Sequence, residues 1–117
     1  MAETTEIRYD KNDRMLTVSF DDGKSFRLSA EFLRVHSPSA EVQGHAPSQR
    51  KVVAGRRDVG IIGIEPVGHY AVKLSFDDLH DTGLYSWSYL YELGENHDRL
   101  WQRYLDELAA NGLKRER

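Results

Sequence analysis

The five residues Asp77-Asp78-Leu79-His80-Asp81 set one imidazole among three carboxylates, and they hold the densest candidate chemistry in the chain. A histidine beside carboxylates has its protonated form stabilised, so it can exchange a proton near neutral pH. The same residue types bind divalent metals. His80, Asp78 and Asp81, with His45 reaching in from an upstream loop, would offer imidazole and carboxylate donors suited to zinc or iron. His36 is a further imidazole. The plainer reading is that His80 orders a solvated acidic turn and that His45 lies in water. No nucleophile or cofactor motif accompanies the turn, and the spacing is not diagnostic of a metal. The chain is therefore expected not to be an enzyme by itself.

A second concentration is basic. Arg50, Lys51, Arg56 and Arg57 surround Gly55 and could hold a phosphate or an acidic partner, although runs of charge are usually solvated faces. The glycine lacks the spacing of a phosphate-binding loop or a dinucleotide fingerprint. A third group, Tyr85, Trp87, Tyr89, Tyr91, Trp101 and Tyr104, could form an aromatic platform. Its helical spacing favours core packing for most of it, and an exposed ring would mark a protein interface.

The elements that must position these groups are legible as periodicities. Ile7 and Tyr9, then Leu16, Val18 and Phe20, then Phe26 and Leu28 alternate as three strands of an antiparallel meander with one buried face. Asp10-Lys11-Asn12-Asp13 and Asp21-Asp22-Gly23 are the turns between them. Ser29 is placed to cap a short helix from Ala30 to about His36, with Leu28 stapled onto Leu33, and Pro38 ends it. Residues 37–58 read as a long irregular loop.

A second hairpin comes next, with Val59 to Glu65 as one strand, a turn at Pro66-Val67-Gly68-His69, and Tyr70, Val72, Leu74 and Phe76 sharing a face of the next. Gly60 and Gly63 leave the first of these strands open to close approach by another element. A short strand around Thr82 to Tyr85 leads to a helix from Trp87 to Leu93, capped by Ser86 and stopped by Gly94. Asn96 is placed to cap the last helix, where Leu100, Trp101, Tyr104, Leu105 and Leu108 form an apolar stripe. Asn111-Gly112 ends it, and residues 113–117 read as a charged, frayed tail. The fold class is thus α+β, with antiparallel hairpins or a meander forming a small sheet or two-layer sandwich, a short helix after the third strand and helices at the C-terminus.

Composition sets the limits. At 117 residues the chain is expected to be one domain, burying roughly two-thirds of its unfolded surface. Charged residues make up 30% with both signs mixed, for a formal net charge of −3, which argues against a general nucleic-acid binder. The absence of cysteine excludes disulfides, thiolate metal sites and a cysteine nucleophile within these residues. The polar N-terminus carries no secretory apolar segment, and Val59 to Ile64, the longest apolar run, is far too short to span a bilayer. A cytoplasmic location away from membranes is the expectation. Nothing in the sequence sets the oligomeric state, a two-fold dimer being the ordinary form of self-association.

Three ordered motifs resemble one family. They are Phe32-Leu33-Arg34-Val35-His36-Ser37-Pro38-Ser39-Ala40-Glu41, then Ile64-Glu65-Pro66-Val67-Gly68-His69-Tyr70-Ala71, then His80-Asp81-Thr82-Gly83-Leu84-Tyr85-Ser86-Trp87 with Tyr89-Leu90-Tyr91-Glu92-Leu93. Together they are similar to the gamma-butyrobetaine hydroxylase-like N-terminal domain, also catalogued as domain of unknown function 971, over about residues 5–95. The remainder is the helix at 96–112 and the tail at 113–117. The resemblance implies a module that precedes oxygenase domains, is fused to ATPases of iron–sulfur cluster assembly, or occurs alone in bacteria.

Oxygenase-attached members hold a structural zinc with three cysteines and one histidine. Those positions correspond here to Ser37, Ser39, Val42 and His80, a set that cannot form that site. The chain is similar to the standalone type, and hydroxylase activity does not transfer. The leading expectation is a non-catalytic accessory or interaction module for an unknown protein partner, linked to iron–sulfur or metal-protein maturation. Its surface would comprise Arg34, Ser37, Ser39, Arg50, Arg56 and Arg57. The alternative is a small metal-binding protein or metalloenzyme using His45, His80 and nearby carboxylates.

Overall fold

Alternation builds the first sheet as expected. The computed structural model describes residues 3–39, 42 and 52–116. In it β1 (Thr4–Asp10), β2 (Met15–Phe20) and β3 (Ser25–Ser29) pair antiparallel in that order. Tyr9 lies opposite Leu16, and Leu16 opposite Leu28, while Val18 faces both Ile7 and Phe26. With side chains alternating between faces, this register puts Leu16, Val18, Phe20 and Leu28 together in the core.

Ser29 then caps α1 (Ala30–Val35), its hydroxyl accepting the Phe32 N–H at 3.0 Å. Every residue of α1 is buried, including Glu31 and Arg34. A helix without a solvent face must find partners for its charges elsewhere in the fold, and Glu31 and Arg34 find theirs far along the chain.

The second sheet, β4 (Ile61–Val67), β5 (Ala71–Phe76) and β6 (Gly83–Ser86), is also antiparallel and in chain order. Its first turn differs from the expectation. β4 starts two residues later and runs on through Pro66 and Val67, which an edge strand tolerates because a proline there forfeits no ladder bond. The turn becomes Gly68–Tyr70, with Gly68 at a φ of +56°. Tyr70 is therefore 60% exposed and does not share the buried face of Val72, Leu74 and Phe76. The expected close approach at Gly60 is made by the Asp77 carboxylate and by Tyr9 of β1, whose hydroxyl accepts the Ile61 N–H at 3.0 Å.

Ser86 caps α2 (Trp87–Glu95), accepting the Tyr89 N–H at 3.1 Å. Gly94 does not stop this helix, which continues to Glu95. Asn96 precedes α3 (His97–Ala110), but its side chain turns back and donates to the Glu92 carbonyl, so it closes α2 and makes no cap bond to α3. Leu100, Tyr104 and Leu108 form the buried stripe of α3 as expected. Both sheets, α1, α2 and the start of α3 contribute to one apolar core, and Val35, Tyr104 and Leu108 form a satellite beside it. Among the described residues no helix is long and apolar enough to cross a membrane.

The C-terminal residues are tied down and not frayed. Gly55 N–H donates to the Lys114 carbonyl at 2.9 Å and Arg57 N–H to that of Arg115 at 3.0 Å. Arg115 grips the buried Glu31 carboxylate with both arms of its fork, at 2.9 and 2.7 Å, while its guanidinium lies 5.1 Å from the centre of the Trp101 ring. A charge buried on α1 thus recruits the tail. Arg115→Ala is expected to lower unfolding free energy by about 1–3 kcal/mol, because Glu31 loses its partner. Lys114→Ala, whose backbone alone is used, should change it by less than about 0.5 kcal/mol. Urea denaturation of the two variants distinguishes a bound tail from a frayed one.

Candidate functional site

The turn from β5 to β6 meets the segment that leaves α1, and here the predicted site residues gather. Phe76 N–H donates to the His80 carbonyl at 2.9 Å, and Leu79 N–H to that of Phe76 at 3.0 Å. Closing so tightly forces Leu79 to a φ of +72°, a region that favours glycine, and holds its side chain 87% exposed.

Residues on either side of Leu79 are locked inward. The Asp78 carboxylate accepts the His80 N–H on Oδ1 at 3.2 Å and Arg34 Nε on Oδ2 at 2.7 Å. Arg56 Nε lies 2.7 Å from the same Oδ2 at an angle too poor for a hydrogen bond. The Asp78 and Arg34 side chains are 8% and 9% exposed. Burial pushes the Asp78 carboxyl up, but the hydrogen bonds from Arg34 and the His80 amide, with the charges of Arg34 and Arg56, outweigh it and hold the group below the ordinary aspartate range.

On the other side, His80 Nε2 and Ser37 Oγ are 2.8 Å apart, and both residues are buried. The neighbouring hydroxyls of Ser39 and Thr82 are 2.7 Å apart. Two tyrosines complete the seam, Tyr85 donating to the Leu33 carbonyl and Tyr89 to that of His36 at 2.6 Å. Burial pushes the Tyr85 hydroxyl far up, so it stays protonated as a donor. The chain leaving α1 is thereby stitched residue by residue to β6 and α2.

A serine within 3 Å of an imidazole has the spacing of an activated nucleophile. Two features oppose that chemistry here. Ser37 has no exposed surface, and Asp78 meets His80 through the backbone amide of the histidine and not through its ring. The pair is a structural clasp. The same geometry answers the zinc question raised by the resemblance. The hydroxyls of Ser37 and Ser39 are hydrogen-bonded to His80 and Thr82, and the side chain of the buried Val42 has no atom that could ligate a metal. These residues do not fit a tetrahedral zinc.

The remaining expectations separate by burial. His45 and Arg50 lie outside the described residues, as does Lys51. Asp81 is exposed, and Asp78 is committed to arginines. Among the described residues no three histidine, aspartate or glutamate side chains gather as a metal would need. Arg34, Ser37 and Ser39, expected on an interaction surface, are buried, because the all-buried α1 carries them inward. Arg56 is about one-third exposed at its side chain, and Arg57 reaches the surface, pairing with Glu116 at 3.0 Å. The aromatic group is largely packing. Tyr85 and Tyr104 are buried, and Trp87, Tyr89, Tyr91 and Trp101 lie against the core.

Sequence reasoning does not find the joining of Arg34, Asp78 and Arg56. Its one signal is Arg34 itself, a charge on a six-residue helix too short to have spare solvent face.

Comparison with known proteins places this geometry. The family model for gamma-butyrobetaine hydroxylase-like N-terminal domains matches residues 7–91. No curated protein matches the sequence. Two solution NMR structures are similar to the chain at 50% and 49% identity, each with a TM-score of 0.85. The first match covers 99% of this chain and 91% of the other, and the second 98% and 86%. A crystal structure from Acidithiobacillus ferrooxidans, of a DUF971-family protein with unknown function, is similar at 38% identity with a TM-score of 0.67, covering 79% of this chain and 92% of that one.

Proposed function

The chain belongs to the gamma-butyrobetaine hydroxylase-like N-terminal family, and from that premise we propose that it is a non-catalytic binding module for a protein partner. The family's fusions to iron–sulfur assembly ATPases make metal-protein maturation its setting. One observation carries the reading, which is Leu79. An apolar side chain held 87% exposed on a strained backbone is unfavourable twice over. Both neighbours are anchored, Asp78 by arginines and His80 by Ser37, so the leucine is presented on a rigid turn. An apolar side chain held out on a fixed turn can enter a partner's pocket at little further cost in conformational freedom. The buried Ser37–His80 pair, closed to any substrate, supports a module without chemistry of its own.

Leu79→Gly tests this with opposite signs. Relief of the left-handed strain should leave stability unchanged or raise it by roughly 0.5–1 kcal/mol. Partner capture should fall at least tenfold. Cross-linked capture from cells, comparing wild type with Leu79→Gly, reads the second quantity. A protein retained by wild type and lost by the variant supports the reading, whereas equal retention or no retained protein sinks it. The metal-binding alternative has no comparable observation in its favour, since Asp78, whose carboxylate accepts the His80 amide, is already paired with two arginines.

A further inference from the structure

We propose that Asn111-Gly112 is a site of spontaneous deamidation that the anchored C-terminal tail holds shut, so that release of the tail commits the chain to an irreversible change. Asparagine followed by glycine suits this chemistry because no side chain shields the nitrogen that attacks. Here both residues are exposed, and a Cβ built on Gly112 would meet no atom within 4 Å. The other two asparagines are followed by the bulkier Asp13 and His97. In the reaction the Gly112 nitrogen gives its proton to water and attacks Cγ of Asn111. The new N–Cγ bond closes a succinimide ring, the Cγ–Nδ2 bond breaks, and Nδ2 takes up a proton and leaves as ammonia. Water then opens either carbonyl of the ring, giving aspartate or isoaspartate. Water is the only co-reactant, and nothing is oxidised.

The native fold withholds both reacting groups. Asn111 has a ψ of 7°, and the Gly112 nitrogen is turned to the end of α3, where it donates to the Ala109 carbonyl at 3.2 Å. The Asn111 side chain is held there too, Nδ2 donating to the Glu107 carbonyl at 2.8 Å. Leu113 N–H completes the cap on the Leu108 carbonyl at 2.9 Å. Ring closure needs rotation about the ψ of Asn111, and that rotation swings every residue beyond it. Lys114 and Arg115 cannot swing while their carbonyls accept the Gly55 and Arg57 N–H groups and the Arg115 fork holds Glu31. The tail is the latch, and its local opening frees the pair. The product does not close again. A carboxylate at position 111 has no proton for the Glu107 carbonyl and stands at the negative end of the α3 dipole. Isoaspartate lengthens the main chain by a methylene and puts the anchors beyond it out of step.

Wild type, Arg115→Lys and Arg115→Ala are incubated at mildly alkaline pH, with wild type in concentrated guanidinium chloride as the unlatched limit. Deamidation is followed by intact mass and located by peptide mapping. Wild type should react at least about tenfold more slowly than the unfolded chain, and Arg115→Ala at least about fivefold faster than wild type. Arg115→Lys keeps the charge but loses the fork, so its rate should fall between. Should Arg115→Ala not fold, Arg115→Lys against wild type still decides. Wild type reacting as fast as the unfolded chain would overturn the protection, and both variants reacting as slowly as wild type would overturn the role of the tail. Mapping of the change to Asn12 or Asn96 would overturn the site. Deamidated wild type, separated by its added charge, should melt below the unmodified protein. Equal melting would overturn the claim that the product stays unlatched.

Discussion

Asp78→Ala is expected to lower the unfolding free energy by about 3–5 kcal/mol, the range seen when one partner of a buried ion pair is removed. The loss comes from stranded charge more than from a missing bond. Wild type holds two guanidiniums against one carboxylate. Removing that carboxylate strands Arg34, whose side chain is 9% exposed and so cannot recover its hydration without opening α1. The turn suffers too, since Oδ1 caps the His80 amide. Against a typical domain stability of about 5–15 kcal/mol, such a loss would leave a protein only marginally folded. Urea denaturation measures it directly. A loss below about 1 kcal/mol would mean that Arg34 reaches solvent.

The same residue fixes an acid dependence. Its folded pKa is depressed, so its stabilising contribution is fully present above the unfolded aspartate value of about 3.9 and is lost as pH falls through the lower folded value. Wild type should therefore lose stability progressively below about pH 4, and Asp78→Ala should show a shallower slope there.

What could be read from sequence was what nearest neighbours decide. The pairing of Leu16 with Leu28 comes from alternation, and the caps at Ser29 and Ser86 each depend on an amide three residues away. What failed depended on residues far along the chain. Lys114 to Glu116 have the composition of a loose tail, but Glu31 on the other side of the sequence needs Arg115. Tyr70 fits the alternation of β5, but the antiparallel register of β4 moves the turn over it.

The candidate site shows the same division. Arg34, Arg56 and Asp78 all stand out in the sequence, yet in three separate roles, as surface, anion run and metal ligand. Periodicity cannot say that a helix is buried on all sides, and only that burial brings the three together. The resemblance puts Ser37 and His80 in one site, but the hydrogen bond between them is a tertiary fact.

Gly94 gives the sharpest test of those long-range contacts, because local and tertiary arguments predict opposite signs. At an exposed helical position glycine to alanine stabilises by about 1 kcal/mol. At Gly94 an added Cβ would fall 2.2 Å from Phe26 Cγ and 2.5–2.6 Å from both Cδ atoms of that ring. The ring has little room to retreat, since it packs edge-on against Tyr91 at 5.3 Å and Phe20 at 6.0 Å, and Tyr91 is itself held by Asp22. Gly94→Ala should therefore destabilise by about 1–3 kcal/mol, the usual range for overpacking, despite its better propensity. Combining it with Phe26→Leu, which removes the obstructing ring, should recover part of that loss and give a coupling energy of about 1 kcal/mol in a double-mutant cycle. If Gly94→Ala instead stabilises the protein, α2 does not lie on β3. The glycine would then be the helix stop that its sequence suggests, and the aromatic packing that seats α2 on the first sheet would have to be redrawn.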